Sequence, residues 1–308
     1  MPKLEKTTST PTYVLIYAVL IVVTALTIYP VLQVIGVSLR PNDMLHTTSL
    51  RLIPEDASFD SYRQLIAIDK NVRDKVALGW HNNGLLGAYR ALTREKPFMG
   101  WLLNSTIVSF LVTIVSVALA STAGYAFSRY KFVGRDASLI ALITTQMFPV
   151  TMLLLPLFLM LIKLKVYNTY WGLIIAYTAT ALPFTIWQMK GYYDTVPYSL
   201  EEAARIDGCS QFRTFYQIVL PLAAPALVIT ALFSFMTAWS EYLVAAVIIN
   251  DKALYTLPIG LKQFQSNFET QWGLYAAGAV MVCIPVVTLF LILSRWLISG
   301  LTLGSVKG

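Results

Sequence analysis

The amino-acid sequence predicts an all-α membrane protein with six transmembrane helices and both ends on the inner side of the bilayer. Three observations carry this expectation. Of 308 residues, 56% are hydrophobic and only 13% are charged, with a mean hydropathy of +0.63; a soluble domain carries roughly a quarter charged residues. Six segments are apolar over the roughly 20 residues a helix needs to cross the hydrocarbon core, at 13–39, 101–127, 138–162, 170–189, 222–249 and 274–297. The basic residues between them are unevenly shared. With the N-terminus inside, the inner pieces hold ten of them, Lys3, Lys6, Arg129, Lys131, Arg135, Lys190, Arg205, Arg213, Arg295 and Lys307. The short outer loops hold four, Lys163, Lys165, Lys252 and Lys262. That asymmetry is the one that orients helices in a membrane. It also accounts for the net charge of +7, so no nucleic-acid partner is expected.

Taken in order, residues 1–12 form an inner N-terminus. The span at 13–39 is too long and uninterrupted for a cleaved signal peptide, and no small-residue cleavage site follows it, so it reads as an anchor. Segment 40–100 is an extracytoplasmic loop region holding the remaining nine basic residues. Its aromatic and charged mixture, as in Phe59-Asp60-Ser61-Tyr62-Arg63, predicts a folded segment, and Lys70–Lys75 a solvated face. His46 and His81 both lie there without a metal-ligand spacing. The core of five further spans, 101–297, contains an inner loop at 190–221 and leads to a tail at 298–308. A span of 27 residues reaches about 40 Å, so some spans must tilt or project. Proline interrupts five spans, at Pro30, Pro149 and Pro156, Pro183, Pro225 and Pro285, which bundles tolerate where neighbours satisfy the freed carbonyls. Cys209 and Cys283 fall in the inner loop and a late span, and are expected to be apart and reduced.

The inner loop is the most informative stretch. From Ser199 to Pro221 it reads SLEEAARIDGCSQFRTFYQIVLP, with Glu202-Ala203-Ala204, Gly208, Ile218 and Leu220-Pro221 at the spacing EAA-x3-G-x9-I-x-LP. Ser199 with Glu202 fits a capping box and would start a helix at Leu200. Gly208 suits the left-handed turn that ends it. Ser210 suits the cap of a second helix, on which Phe212, Phe215, Tyr216 and Val219 would share one face. Pro221 would stop that helix as the next span begins. Elsewhere the chain has no G-x-x-x-x-G-K-[ST] to cradle ATP phosphates, and no C-x-x-C, H-E-x-x-H or G-x-S-x-G. It is therefore not expected to be an enzyme or to bind a metal or cofactor. Energy for uphill transport would have to come from another subunit or a coupled ion. A coupled ion calls for intramembrane carboxylates, and one is evident, Glu241. A charge there must face a water-filled path or gate, or pair with a neighbouring helix.

With those residues in place, the loop spacing resembles the signature of the permeases of ATP-binding-cassette (ABC) importers. Gly124-Tyr125-Ala126-Phe127 with Arg129 and Phe132 is similar to the end of the second span in the carbohydrate-uptake members. Gln146-Met147-Phe148-Pro149 and the terminus Arg295-Trp296-Leu297, Gly300-Leu301-Thr302 and Val306-Lys307-Gly308 resemble the maltose/maltodextrin type. Leu303 and Ser305 depart from it, standing where smaller residues are expected, and the resemblance is not carried into segment 40–100. The resemblance implies a type I importer in the bacterial inner membrane. One copy each of two different permeases would form the path above a homodimer of ABC ATPases, which bind ATP and magnesium, and an extracytoplasmic sugar-binding protein would deliver the cargo. It further implies that Leu200, Glu202, Ala203, Ala204, Asp207 and Gly208 dock on the ATPase, with Lys307 and Gly308 near it, and that sugar contacts lie mainly on the other permease. Glu202 has two readings, a helix cap or a charged docking contact. The rival functions are a permease for another oligosaccharide or glycerol phosphate, an ion-coupled secondary transporter, or a membrane scaffold.

Overall fold

The computed structural model describes residues 10–41, 52–265 and 270–303. The chain divides into two compact units, Met1–Ala67 with Phe264–Met281, and Ile68–Gln263 with Val282–Gly308.

In the first unit, α1 (Thr10–Ser38) is a helix apolar on every side with Pro30 inside it. A short α2 (Asp60–Ile66) follows. The Tyr62 hydroxyl meets the Ser38 hydroxyl at 2.7 Å, and Ser58 N–H donates to the Leu39 carbonyl, tying α2 to the end of α1.

The second unit is a helical bundle. It begins with α3 (Lys70–Glu95), an element bent back on itself at Asn83-Gly84. After it come α4 (Pro97–Arg129), α5 (Arg135–Thr145), α6 (Val150–Lys163) and α7 (Tyr170–Tyr193). The inner loop holds α8 (Tyr198–Ile206) and α9 (Gln211–Thr214), a π-helical turn over Phe215–Val219, and α10 (Leu220–Leu222). The bundle closes with α11 (Ala224–Ser240), α12 (Leu243–Ile248), a 3-10 turn at Lys252–Leu254 and α13 (Leu257–Lys262). The last helix, α14 (Trp272–Leu303), runs through both units and carries Pro285.

Among the described residues, three helices are long and apolar enough to cross a bilayer, Pro11–Ser38, Pro97–Arg129 and Trp272–Ser294; two bent pairs bring the number to five. The sixth expected span is α7. Its 24 residues reach about 36 Å, but its Tyr, Thr and Gln side chains make it less apolar. Half of those residues are buried, and α7 packs along α4 and α11. A helix wrapped by other helices faces less lipid and needs less hydropathy.

Two expected spans are broken rather than kinked. Segment 138–162 turns by 105° between α5 and α6, at Gln146-Met147-Phe148-Pro149. Pro149 supplies the break, since its ring disfavours helix in the residue before it. Segment 222–249 is interrupted at Glu241-Tyr242, where α11 ends and α12 begins. Pro221 does not end the loop helix. The chain bends by 77° at Ala223 instead, with Pro225 in the first turn of α11.

Apolar clusters of the described residues hold the bundle, two of them between α4 and α7. One gathers Val108, Val112, Leu173, Tyr177, Ile248 and their neighbours from α4, α7 and α12. The other gathers Ala120, Tyr125, Ile186, Met189, Tyr193, Val219 and Ala226, and lies beneath the inner loop.

Candidate functional site

The inner loop is held to the bundle by a buried ion pair. Arg129, in the last turn of α4, donates through Nε to Oε1 of Glu201 on α8 at 2.5 Å; the two side chains are 7% and 0% exposed. The Tyr125 hydroxyl, one turn back along α4, donates to Glu201 Oε2 at 2.8 Å. Arg129 uses its remaining nitrogens on the Val196 carbonyl at 2.9 Å and the Ser128 hydroxyl at 3.1 Å. Ser128 in turn donates to Asp194 at 2.7 Å, which also accepts from Lys190 at 2.6 Å. The guanidinium groups of Arg129 and Arg205 both lie over the Tyr198 ring, 5.7 and 5.8 Å from its centroid. Every oxygen of Glu201 and every nitrogen group of Arg129 thus has a partner, the condition under which a buried pair is tolerated. Burial pushes the Asp194 pKa up, but the hydrogen bonds from Lys190 and Ser128 outweigh it and hold the carboxyl below its ordinary value.

The motif at the end of α4 rests on close packing against α7. A Cβ at Gly124 would lie 2.8 Å from Met189 Cβ and 2.9 Å from Lys190 N, so only glycine lets α7 approach this closely. Tyr125 and Arg129, four apart on one face, then reach the loop together.

The loop helices form as the spacing predicts in outline, with two corrections. The capping box is absent: α8 starts at Tyr198 behind Pro197, no side chain caps it, and Ser199 lies inside the helix. Pro197 begins the helix early, and the pull of Arg129 on Glu201 fixes its phase. The second correction concerns the amphipathic face. Ser210 caps α9, accepting from Arg213 N–H at 3.3 Å. The π-turn then adds a residue to the turn, so Thr214 and Val219 are buried while Phe212 and Tyr216 are 77% and 62% exposed, stacked on each other. Gly208 takes the left-handed conformation, φ +84°, between α8 and α9.

The same phase sorts the candidate docking residues. Leu200, Glu202, Ala203, Asp207 and Gly208 are exposed, as is Ile206 at 86%. Ala204 is buried against the chain itself and is removed from any outward-facing surface. Lys307 and Gly308 lie outside the described residues. Spacing singled out Glu202 and passed over Glu201, while Tyr125 and Arg129 stood out for the resemblance and not for a contact with the loop. The signal that could have found them is a carboxylate in the loop matched by a lone arginine ending a long apolar span. A cleft of about 290 Å³ opens beside the clamp, lined by Thr122, Tyr125, Tyr130, Gln211, Phe212 and Phe215.

Glu241 is placed apart from this loop. Its Oε1 accepts from Val244 N–H at 3.0 Å, satisfying an orphan donor at the start of α12 where the span is interrupted. Cys209 and Cys283 are free. Among the described residues, no group of three or more His, Cys, Asp or Glu could hold a metal ion.

Residues 116–302 match the family model described as binding-protein-dependent transport system inner membrane component. The chain is similar to the maltose/maltodextrin transport system permease protein MalG of Photorhabdus laumondii, 34% identical over 313 residues, covering 100% of this chain and 98% of that one. It is 35% identical to Escherichia coli MalG over 298 residues, covering 95% of each. The maltodextrin transport system permease protein MalD of Streptococcus pneumoniae is 37% identical over 221 residues, 71% of this chain and 79% of MalD. A solved chain of a bacterial ABC transporter involved in import of the acidic polysaccharide alginate superposes with a TM-score of 0.70 at 20% identity, covering 96% of this chain and 99% of that one, and so shares its fold.

Proposed function

The chain belongs to the inner membrane components of binding-protein-dependent transport systems, and on that premise we propose that it is the permease subunit of an ATP-driven sugar importer, carrying maltose, maltodextrins or a related α-glucoside. The cargo is drawn from the relatives named as maltose/maltodextrin permeases. In this reading the chain lines a path with a second permease, receives sugar from an extracytoplasmic binding protein, and sits on a homodimer of ATPases that hold ATP and magnesium.

The observation that carries the reading is the clamp between α4 and α8. A loop helix that transmits force must not slide on the span it drives. Arg129 and Glu201 join the two through a dry, fully hydrogen-bonded contact, while the opposite side of α8 leaves Leu200, Glu202, Ala203 and Ile206 free to meet a partner. ATP binding would close the ATPases, displace the seated loops, and shift the spans between inward-facing and outward-facing states, because ATP favours one state over the other.

The test is purification from native membranes with identification of the associated chains, followed by uptake and ATPase assays with maltose, maltotriose, glycerol phosphate and unrelated sugars. Expected are a second permease, an ATPase, and hydrolysis stimulated by α-glucosides through the binding protein. Uptake by this chain without any ATPase, driven by an ion gradient, would overturn the reading.

A further inference from the structure

The two arms of α3 form a tight antiparallel hairpin. Its turn is at Asn83-Gly84, with φ +59° at Gly84. Gly79 and Gly87 face each other across it so closely that an added Cβ at either would fall 2.4 and 1.9 Å from the other's carbonyl oxygen. At the base, Lys75 and Glu95, twenty residues apart, pair at 2.9 Å.

The sequence of this hairpin is polarised. No Asp, Glu, Lys or Arg occurs from Val76 to Tyr89, while both ends of the hairpin are densely charged. The turn itself is polar, with His81, Asn82 and Asn83 exposed, but the uncharged arms that flank it are apolar and uncovered: Leu78 is 62% exposed, Trp80 57%, Leu85 73% and Leu86 67%. Four large apolar side chains in open water at one tip form the kind of patch that marks a contact.

The register of the second arm says what it contacts. Thr93 lies against Gly100, where an added Cβ would fall 2.7 Å from Thr93 Cγ2, and the Tyr89 hydroxyl donates to Asn104 Oδ1 at 2.5 Å. Four residues back along the arm correspond to four residues forward along α4. The arm therefore runs antiparallel beside a membrane-spanning helix, toward the bilayer rather than away from it. One more helical step sets Leu85 at the level of Val108 and Leu86 at that of Ile107.

The hydrocarbon boundary can be placed on α4 independently. Its 33 residues reach about 50 Å, against about 30 Å for the apolar core, or roughly 20 residues. Counting about 20 residues back from Tyr125, in the polar cluster at the loop end, reaches Ser105. Asn104 donates to the carbonyls of Ala253 and Tyr255 at 2.8 and 2.9 Å, marking the same polar layer. The hairpin tip thus lies at or just inside that boundary, beside the exposed Ile107 and Phe110 of α4.

From the antiparallel register of α3 on α4 and the charge-free, Trp-bearing tip, we infer that the hairpin dips into the outer leaflet and anchors this face of the chain to lipid. Across Gly79 and Gly87, Trp80 stands level with Leu86, and a tryptophan among leucines beside a polar turn is the composition an interfacial anchor uses. The inference rests on the two-sided reading above, with the inner loop in the cytoplasm.

The test uses the complete transporter in nanodiscs of phosphatidylethanolamine and phosphatidylglycerol, without the solute-binding protein. This chain carries Cys209→Ser, Cys283→Ser and one spin-labelled cysteine. Labels at Leu85→Cys and Leu86→Cys should collide with oxygen, escape a water-soluble nickel chelate, and read a depth of about 5–10 Å. A label at Arg73→Cys, in the charged base, should stay open to the chelate. Chelate-accessible labels at both tip positions overturn the inference. So does shielding that arises only after the solute-binding protein is added, which makes the tip a protein-docking surface. Depth depends on neither transport nor ATPase, so it separates from the functional reading. An impermeant maleimide should label Arg73→Cys and Gln211→Cys from opposite sides of spheroplasts. Same-side labelling overturns the two-sided reading and with it the assignment to the outer leaflet.

Discussion

The two ends of α4 are fastened in chemically opposite ways. At the inner-loop end the fastening is ionic, with Arg129 and Glu201 buried together under Tyr125. At the other end it is neutral. Buried Asn104 accepts from the hydroxyls of Tyr89 and Tyr170, at 2.5 and 2.7 Å, and donates to two backbone carbonyls. A neutral amide knot holds neighbouring elements in place at modest cost if cut. A buried charge pair is all-or-nothing, since either partner left alone carries an uncompensated charge. The all-or-nothing joint lies where, in the proposed reading, a loop helix moves with its span.

The largest effect should come from cutting the ionic end. Glu201→Ala or Arg129→Ala is expected to cost about 3–5 kcal/mol, read as loss of thermal stability of the purified complex and of sugar-stimulated ATP hydrolysis. Glu202→Gln, one position along and exposed, should leave that stability unchanged and weaken retention of the ATPase. Equal stability of the Glu201 and Glu202 variants would break the comparison. Cutting the neutral end is next. Asn104→Leu strips partners from the Ala253 and Tyr255 carbonyls and should cost about 1–3 kcal/mol, with hydrolysis still coupled to sugar; uncoupling there would show that both ends transmit. Gly208→Val should cost about 1–2 kcal/mol, because φ +84° is a left-handed conformation. Nothing lies within 4 Å of an added Cβ, so the penalty is backbone strain alone and Gly208→Asn should recover most of it; a clash would instead leave Asn as damaging as Val.

The smallest effect concerns Asp194, at the rim of the ionic end. Its folded-state pKa is depressed, so its contribution is present above the ordinary carboxylate range, about pH 4, and is lost as pH falls through the lowered value. Melting temperatures of the parent and Asp194→Asn should therefore differ at neutral pH and converge in acid. A gap that widens in acid would contradict the sign.

The spans, the loop's two helices and the turn at Gly208 were legible because each is written locally, in hydropathy, in a serine before a helix, or in a glycine between two. The polarity of segment 40–100 announced a folded insertion, though its hairpin geometry depends on Gly79 and Gly87 meeting across a turn. What stayed hidden was the choice between Glu201 and Glu202. Adjacent glutamates look alike in sequence; Pro197 and Arg129 decide which points inward, and Arg129 lies 72 residues away. Glu241 was noticed for its depth, but its contact with an amide at an interruption of the span needs the interruption to be seen first.

The π-turn at Phe215–Val219 gives the loop one mechanical property more. It stores a surplus residue between two anchored points, Thr214 and Val219, both wholly buried. Letting that residue out, by tightening the turn to an ordinary α-helix, would swivel Phe212 and Tyr216 by about 100° about the helix axis relative to Leu220. On such a tightening the connection between loop and α11 would act as a swivel with built-in slack, turning its aromatic pair without unwinding.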